Sequence, residues 1–336
     1  MMAASKALLS VTGNGLARAE ADARGWTVVF PLHGRRVRSL AAAAGDTNTV
    51  FAGTDDGVLR SGDRGQTWQA CGVTAHPVTA LAVSPLEPDT IYAGVKPAGV
   101  LVSRDGGKSW ADLEGFGRIR GRRWWRSPAE PPDWRAYVQA ISVSPADPNV
   151  IVAGVEFGAV VRSADGGRTW SNHRKGAIRD CHGLTFHASD GNWVYQGGAS
   201  LVGAAVSRDG GITWQQPKQG LKHRYGWTCA ADPERPEVWY LSAGPIGWRG
   251  TPQAHRDGEA NAAIYRKAGG APWERLGGGL PQPLDFMAYA LVTDPDAPGQ
   301  LYAGLANGDV WHTADYGDTW TKLPLNMGRI NRMILL

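Results

Sequence analysis

Between residues 78 and 113, short apolar runs alternate with turn signals. Val78-Thr-Ala-Leu-Ala-Val83 stops at Ser84-Pro85, and Thr90-Ile-Tyr-Ala-Gly94 follows the turn Pro85-Leu-Glu-Pro-Asp89. Gly99-Val-Leu-Val-Ser103 is the third run, and Trp110-Ala-Asp-Leu113 is the fourth, beyond an Asp-Gly-Gly turn. Runs this short, punctuated by Pro, Gly and Asp, read as strands. Four short strands joined by tight turns predict one propeller blade.

The unit recurs because one eight-residue word recurs. Ser163-Ala-Asp165-Gly-Gly167-Arg-Thr169-Trp170 is matched at Ser61–Trp68, Ser103–Trp110, Ser207–Trp214 and Thr313–Trp320, five copies in all. Its Asp can accept backbone N–H groups just ahead of it, and the Gly in its fifth place supplies a positive φ. The Thr restarts an extended segment and the Trp brings a large apolar surface to anchor it. Each copy therefore predicts a tight hairpin between the third and fourth strands.

Two further blades keep the anchor without the word, at Ile264–Trp273 and Leu16–Trp26. The seven tryptophan anchors are spaced by 42, 42, 60, 44, 59 and 47 residues, a blade length with two insertions. The N-terminal blade has material for strands at 6–11, 14–19 and 25–30 but no first strand, whereas 329–336 fits a first strand. The prediction is an all-β, seven-bladed β-propeller of four-stranded antiparallel blades, closed by its C-terminal strand joining the N-terminal blade. Residues 1–336 are expected to form one domain, with insertions at 114–135 and 243–262 on one face.

Composition changes this picture little. Forty-five Gly and 21 Pro suit many turns, and 43% apolar residues is ordinary for a globular chain. A formal charge of +4 leaves no footprint for nucleic acid. No apolar run reaches membrane-spanning length, so no membrane partner is expected. Cys71, Cys181 and Cys229 are odd in number and widely spaced, so no disulfide framework or zinc-type pair is visible. The first residues lack the apolar core and cleavage pattern of a secretory signal, so a cytoplasmic protein is expected.

Candidate chemistry comes from the loops sharing one mouth of the channel. Aligned first strands place Arg38, Thr79, Gln139, His182, Gly226, Ala288 and Asn331 at one position. Arg36, Pro77, Tyr137, Asp180, Arg224, Phe286 and Arg329 lie two residues earlier. The corners between second and third strands add Asp55, Asp56, Lys96, Glu156, His255 and Asn307. Glu156, His182, His255, Tyr137 and Asp180 are the catalytic candidates, a carboxylate–imidazole set equipped for acid–base work or for holding a divalent metal. No local motif assigns a metal. In the first insertion Arg122, Arg123 and Trp124 offer forked hydrogen bonds and stacking to an anionic or carbohydrate-like ligand. Arg38, Lys96, Arg224 and Tyr225 complete the binding candidates. GxSxG, P-loop and Rossmann signatures are absent.

The repeated words resemble the Asp-box, or BNR, repeats of sialidases, sortilin-type propellers and a photosystem II assembly factor. That resemblance spans nearly the whole chain and implies propeller architecture, with the boxes as structural turns away from the catalytic face. A sialidase would imply three arginines clamping a carboxylate, a Tyr–Glu nucleophile pair and an Asp acid, with Arg36, Arg38, Arg224, Tyr225 and Glu156 as the available parts. The Arg-Ile-Pro element of that family is absent; Phe116-Gly-Arg-Ile-Arg120 is a loose echo in another blade. Two functions are therefore weighed. One is a hydrolase- or lyase-like enzyme acting on an anionic or carbohydrate-like small ligand at the mouth opposite the words. The other is a non-catalytic propeller holding a protein or peptide there.

Overall fold

Residues 6–43, 45–72, 75–247 and 251–336 are described by the structure, a computed structural model. Its strands form seven antiparallel sheets arranged as the blades of a closed propeller. The innermost strands are Val37–Ala43, Val78–Val83, Val138–Val143, Cys181–Phe186, Tyr225–Ala231, Ala288–Thr293 and Ile330–Leu335. Ring closure follows the sequence expectation: Ile330–Leu335 pairs with Ala7–Thr12, which is followed outward by Gly15–Asp22 and Gly25–Val29. Seven apolar clusters lie between neighbouring blades, including one that joins Leu8 and Ala17 of the closing blade to Ala290 and Tyr302 of the last.

The repeated word folds as its chemistry requires. In the copy at Ser163, Asp165 accepts the Thr169 N–H at 2.9 Å and the Thr169 hydroxyl at 2.6 Å. Ser163 Oγ accepts the Gly167 N–H at 2.8 Å and donates to Asp165 at 2.9 Å. Gly167 has φ +88°, and a Cβ there would strike the Leu113 side chain. The Trp170 indole N–H donates to the Gly167 carbonyl at 3.0 Å, tying anchor to turn. The residue before the glycine is also left-handed, even where it is Arg64 (φ 59°) or Tyr316 (φ 61°).

The Thr and Ser donors hold the carboxyls of Asp63, Asp105 and Asp315 down to about 2, against an ordinary 3.8. A carboxylate depressed in the folded state stabilises the fold above its unfolded value, so this contribution is lost as the pH falls from about 4 towards 2. Replacing Asp165 by Ala removes several charge-assisted hydrogen bonds and is expected to cost about 1–2 kcal/mol. Urea unfolding checks this, and an unchanged midpoint would show the turn to be dispensable.

Two blades depart from four strands. Beyond Trp170, the imidazole Nδ1 of His173 accepts the Val160 N–H at 3.1 Å where a backbone carbonyl would serve in a ladder. Beyond Trp214, pairing shrinks to a single bridge, Val206 with Gln215, because Pro217 brings no N–H. Both blades carry three regular strands.

The helical turns, Glu114–Gly117, Arg122–Trp124 and Pro252–Arg256, all fall in the two insertions. Residues 248–250 of the second insertion lie outside the described residues. Among the described residues no helix is long and apolar enough to cross a membrane.

Candidate functional site

Every innermost strand shifts register against its neighbour near its start. Such a bulge leaves a residue out of the ladder and turns its side chain away from the sheet. The residues so displaced include Arg38, Thr79, Gln139 and His182. Trp227 with Thr228, Tyr289 and Asn331 are displaced in the other three blades. All of them line one cavity of about 960 Å³ in the channel mouth. Neighbouring blades are laced together there, since Thr79 donates to the Val138 carbonyl at 2.7 Å and Gln139 to the His182 carbonyl at 3.4 Å.

His182 is the chemical centre of that ring. Its Nδ1 is 2.8 Å from the Gly226 carbonyl, which can only accept, so Nδ1 carries a proton and Nε2 faces inward. Nε2 stands 3.4 Å from Asp180 Oδ1 and 3.9 Å from Glu156 Oε1. The rings of Trp227 and Tyr225, centred 4.6 Å and 5.0 Å away, fix the imidazole plane. Asp180 is buried and lies behind the cavity wall; Glu156 and His182 are on it.

Glu156 sits at a tight corner whose next residue, Phe157, has φ +48°, a conformation that bulky side chains avoid. The Glu156 amide donates to the Tyr137 carbonyl at 3.1 Å, fixing the corner on the neighbouring innermost segment. Burial pushes the Glu156 carboxyl up to about 7, with Asp180 adding to the rise and His182 and Arg332 opposing it. Burial works against protonating His182, but the Asp180 and Glu156 carboxylates outweigh it and leave its pKa raised. Among the described residues Glu156 Oε2 is buried without a hydrogen-bond partner, and the His182 ring at 3.4 Å is what faces Asp180 Oδ1. Tyr137, also on the wall, is raised by burial and by the Glu156 charge.

The other candidates separate into distinct roles. His255 is fully buried behind the wall; its Nδ1 is 3.1 Å from the Tyr289 hydroxyl and its ring stands edge-on to Tyr225 and Trp227. It packs against the aromatic wall and lies outside the close group of Glu156, Asp180 and His182. Arg38 donates to Asp55 and, at 2.7 Å, to Glu130. Lys96 is buried, 2.8 Å from Glu130 and 3.5 Å from Asp133. Glu130 and Asp133 belong to the first insertion, so these two cations staple that insertion over the blades. Arg122 is likewise occupied by the Ala98 carbonyl. Arg123 lies 5.1 Å over the Trp124 ring, and Trp124 is 71% exposed, outside the cavity wall. Tyr225 is on the wall, whereas Arg224 is exposed and off it.

Trp227, Tyr289, Glu130, Arg256 and Arg332 were not singled out from sequence. The first two fall one residue after the aligned positions Gly226 and Ala288, and the bulge register is the signal that locates them. Glu156, Asp180 and His182 also form the one group, among the described residues, whose metal-ligand-type atoms lie within 4.8 Å of one another.

Residues 8–256 match the family described as the DUF6242 beta propeller domain. The chain belongs to this family. The DUF6242 propeller is 26% identical over 327 residues to a xyloglucanase from a Paenibacillus species, covering 86% of this chain and 29% of that protein. The GH74 xyloglucanase structure from Xanthomonas campestris matches it with a TM-score of 0.69 at 18% identity, over 97% of this chain and 52% of that one. YCF48 from Cyanidioschyzon merolae matches with a TM-score of 0.58 at 13% identity, over 88% of this chain and 87% of that one. The two structural likenesses attest the fold. This chain spans less than a third of the curated xyloglucanase and about half of the solved one.

Proposed function

We propose that this propeller is a carbohydrate-acting hydrolase whose reaction centre is the Glu156–His182 pair. The observation that carries the proposal is a carboxyl pushed up to about 7 and an imidazole 3.9 Å away, both on the wall of one aromatic-lined cavity. An oxygen about 2.8 Å from both groups can occupy the space beside that 3.9 Å line. In that position the glycosidic oxygen takes the Glu156 proton as its bond to the anomeric carbon breaks. After the leaving sugar departs, a water enters the same place, bonds to that carbon and gives a proton to His182 Nε2, which returns it to Glu156. Asp180 positions His182 and steadies its charge. Tyr225, Trp227 and Tyr289 present ring faces and edges on which the apolar face of a sugar packs. Likeness to a named xyloglucanase supports the substrate class.

Proton transfer is a better reading of the three donors than a metal centre. Arg332 already places a positive charge beside these donors, where it opposes a second cation. Cleavage is therefore expected to be unaffected by chelators. The repeated word we read as an Asp box, a structural fastener on the opposite face.

The test is incubation of the full chain with labelled neutral and acidic oligosaccharides, followed by product analysis. Glu156-dependent, chelator-insensitive cleavage supports the reading, and no cleavage of any saccharide rejects it. A second reading, a propeller that holds a peptide or protein, is favoured by length, because the chain spans 82% of YCF48 in its structure with a D1 peptide. Saccharide binding with no peptide binding at the cavity would exclude it.

A further inference from the structure

We propose that the ligand of this cavity is an anionic saccharide, bearing a carboxylate or sulfate, whose charge is received by Arg256, Arg329 and Arg332. The inference rests on the carbohydrate reading above and adds the charge of the substrate. It follows from the balance of charge along the wall. Of the wall carboxylates, Glu130 is consumed by Arg38 and Lys96, and Glu156 favours its neutral form. Arg36 and Arg38 are matched by Asp55 and Glu130.

Three cations remain on the wall with no carboxylate partner among the described residues. Arg332 projects from the closing strand and donates to the backbone carbonyls of Arg38 at 3.2 Å and Gln139 at 2.9 Å. These bonds fix the guanidinium beside the acid–base pair without cancelling its charge. Burial lowers its pKa, with Tyr137, Cys181 and Glu156 pulling the other way. Arg329 lies with its guanidinium against Gly13, where any side chain would displace it. Arg256 ends the short helix of the second insertion and bears on the Tyr289 hydroxyl.

A concave wall with unmatched positive charge concentrates anions, and guanidinium forks bind carboxylate and sulfate oxygens in pairs. The aromatic wall of the same cavity selects a sugar over a bare ion. The arginines an Asp-box sialidase would suggest do not supply this charge: Arg36 and Arg38 are paired and Arg224 is off the wall. The receiving cations come instead from the closing strand, its approach and the second insertion.

Titration calorimetry tests this on the full-length Glu156→Gln protein, so that binding is read without turnover. The probes are galacturonate oligomers, sulfated galactan oligomers and neutral xyloglucan oligomers. At least one anionic series is expected to bind tenfold or more tighter than the neutral one, weakening as salt is raised. Comparing the two anionic series identifies the group. Arg329→Gln and Arg256→Gln, both exposed positions, are each expected to weaken anionic binding about tenfold and to leave neutral binding unchanged. Equal binding of neutral and anionic oligomers, or no binding of any anionic one, overturns the proposal. Neutral oligomers bound and cleaved through Glu156 would leave the hydrolase reading standing alone. Anionic oligomers bound but never cleaved by the unmodified protein would do the reverse.

Discussion

Removing residues 330–336 is expected to leave a chain that does not hold its native fold. Ile330–Leu335 is the innermost strand of the closing blade and follows directly from the outermost strand of the preceding one. It pairs with Ala7–Thr12, and Ala7 and Leu336 exchange backbone hydrogen bonds at 3.1 and 2.9 Å. Ile330 and Met333 are buried in the cluster shared with the last blade, and Leu336 in the cluster shared with the next. Exposing such side chains costs about 2 kcal/mol apiece. Leu8 and Leu9, now fully buried, would also face water along a new open edge. The sum approaches the whole stability of a typical domain, about 5–15 kcal/mol. Circular dichroism and urea unfolding check the outcome, and a synthetic peptide of residues 329–336 added in trans is expected to restore part of the fold. A truncated protein melting within about 5 °C of the full chain would show that closure contributes little.

This closure was legible because it is a matter of counting strands. The N-terminal blade lacks a first strand and 329–336 has no blade of its own, so the two deficits cancel. The hairpins were legible for a related reason: Asp165, Gly167 and Thr169 act within one turn, where sequence spacing and spatial spacing coincide. The site was read less completely because it depends on register. A bulge adds one residue to a strand, and the period of two then points the wrong side chain at the channel. Alignment without the bulge selected Gly226 and Ala288 where Trp227 and Tyr289 face the cavity. In the closing strand the alignment selected the displaced residue, Asn331, and Arg332 beside it lines the cavity as well.

Glu156, Asp180 and His182 come from consecutive blades, and the structure brings them together. His255, predicted beside them, packs behind the aromatic wall because its helix is buried through Ala254 and His255. Arg38 and Lys96 looked free because Glu130, the residue that occupies them, lies far along the chain in an insertion. Charge pairing across that separation has no local signature.

Replacing Glu156 by Gln is expected to abolish cleavage while making the folded protein more stable at alkaline pH. Loss of a positioned proton donor costs about 10²–10⁴ in rate. The stability effect has a definite sign. Burial holds the proton on Glu156 up to about 7, against 4.5 for the free group, so the folded chain binds that proton more tightly than the unfolded one. Stability from this group is full below about pH 4.5 and falls as the pH rises to about 7, where the buried carboxyl must ionise. Glutamine keeps the shape and never ionises, so the variant should gain up to roughly 3 kcal/mol at pH 8 and nothing at pH 4. Urea unfolding at the two pH values reads that difference. The rate of the unmodified protein should fall on the alkaline side through about pH 7, and that limb should be missing from any residual activity of the variant. A residue kept only for packing would behave otherwise, its replacement destabilising the fold at every pH. Full activity in Glu156→Gln, or an unchanged alkaline limb, would remove Glu156 from the reaction. A gain in stability together with a loss of cleavage is the signature of a buried carboxyl retained for chemistry at a cost to the fold.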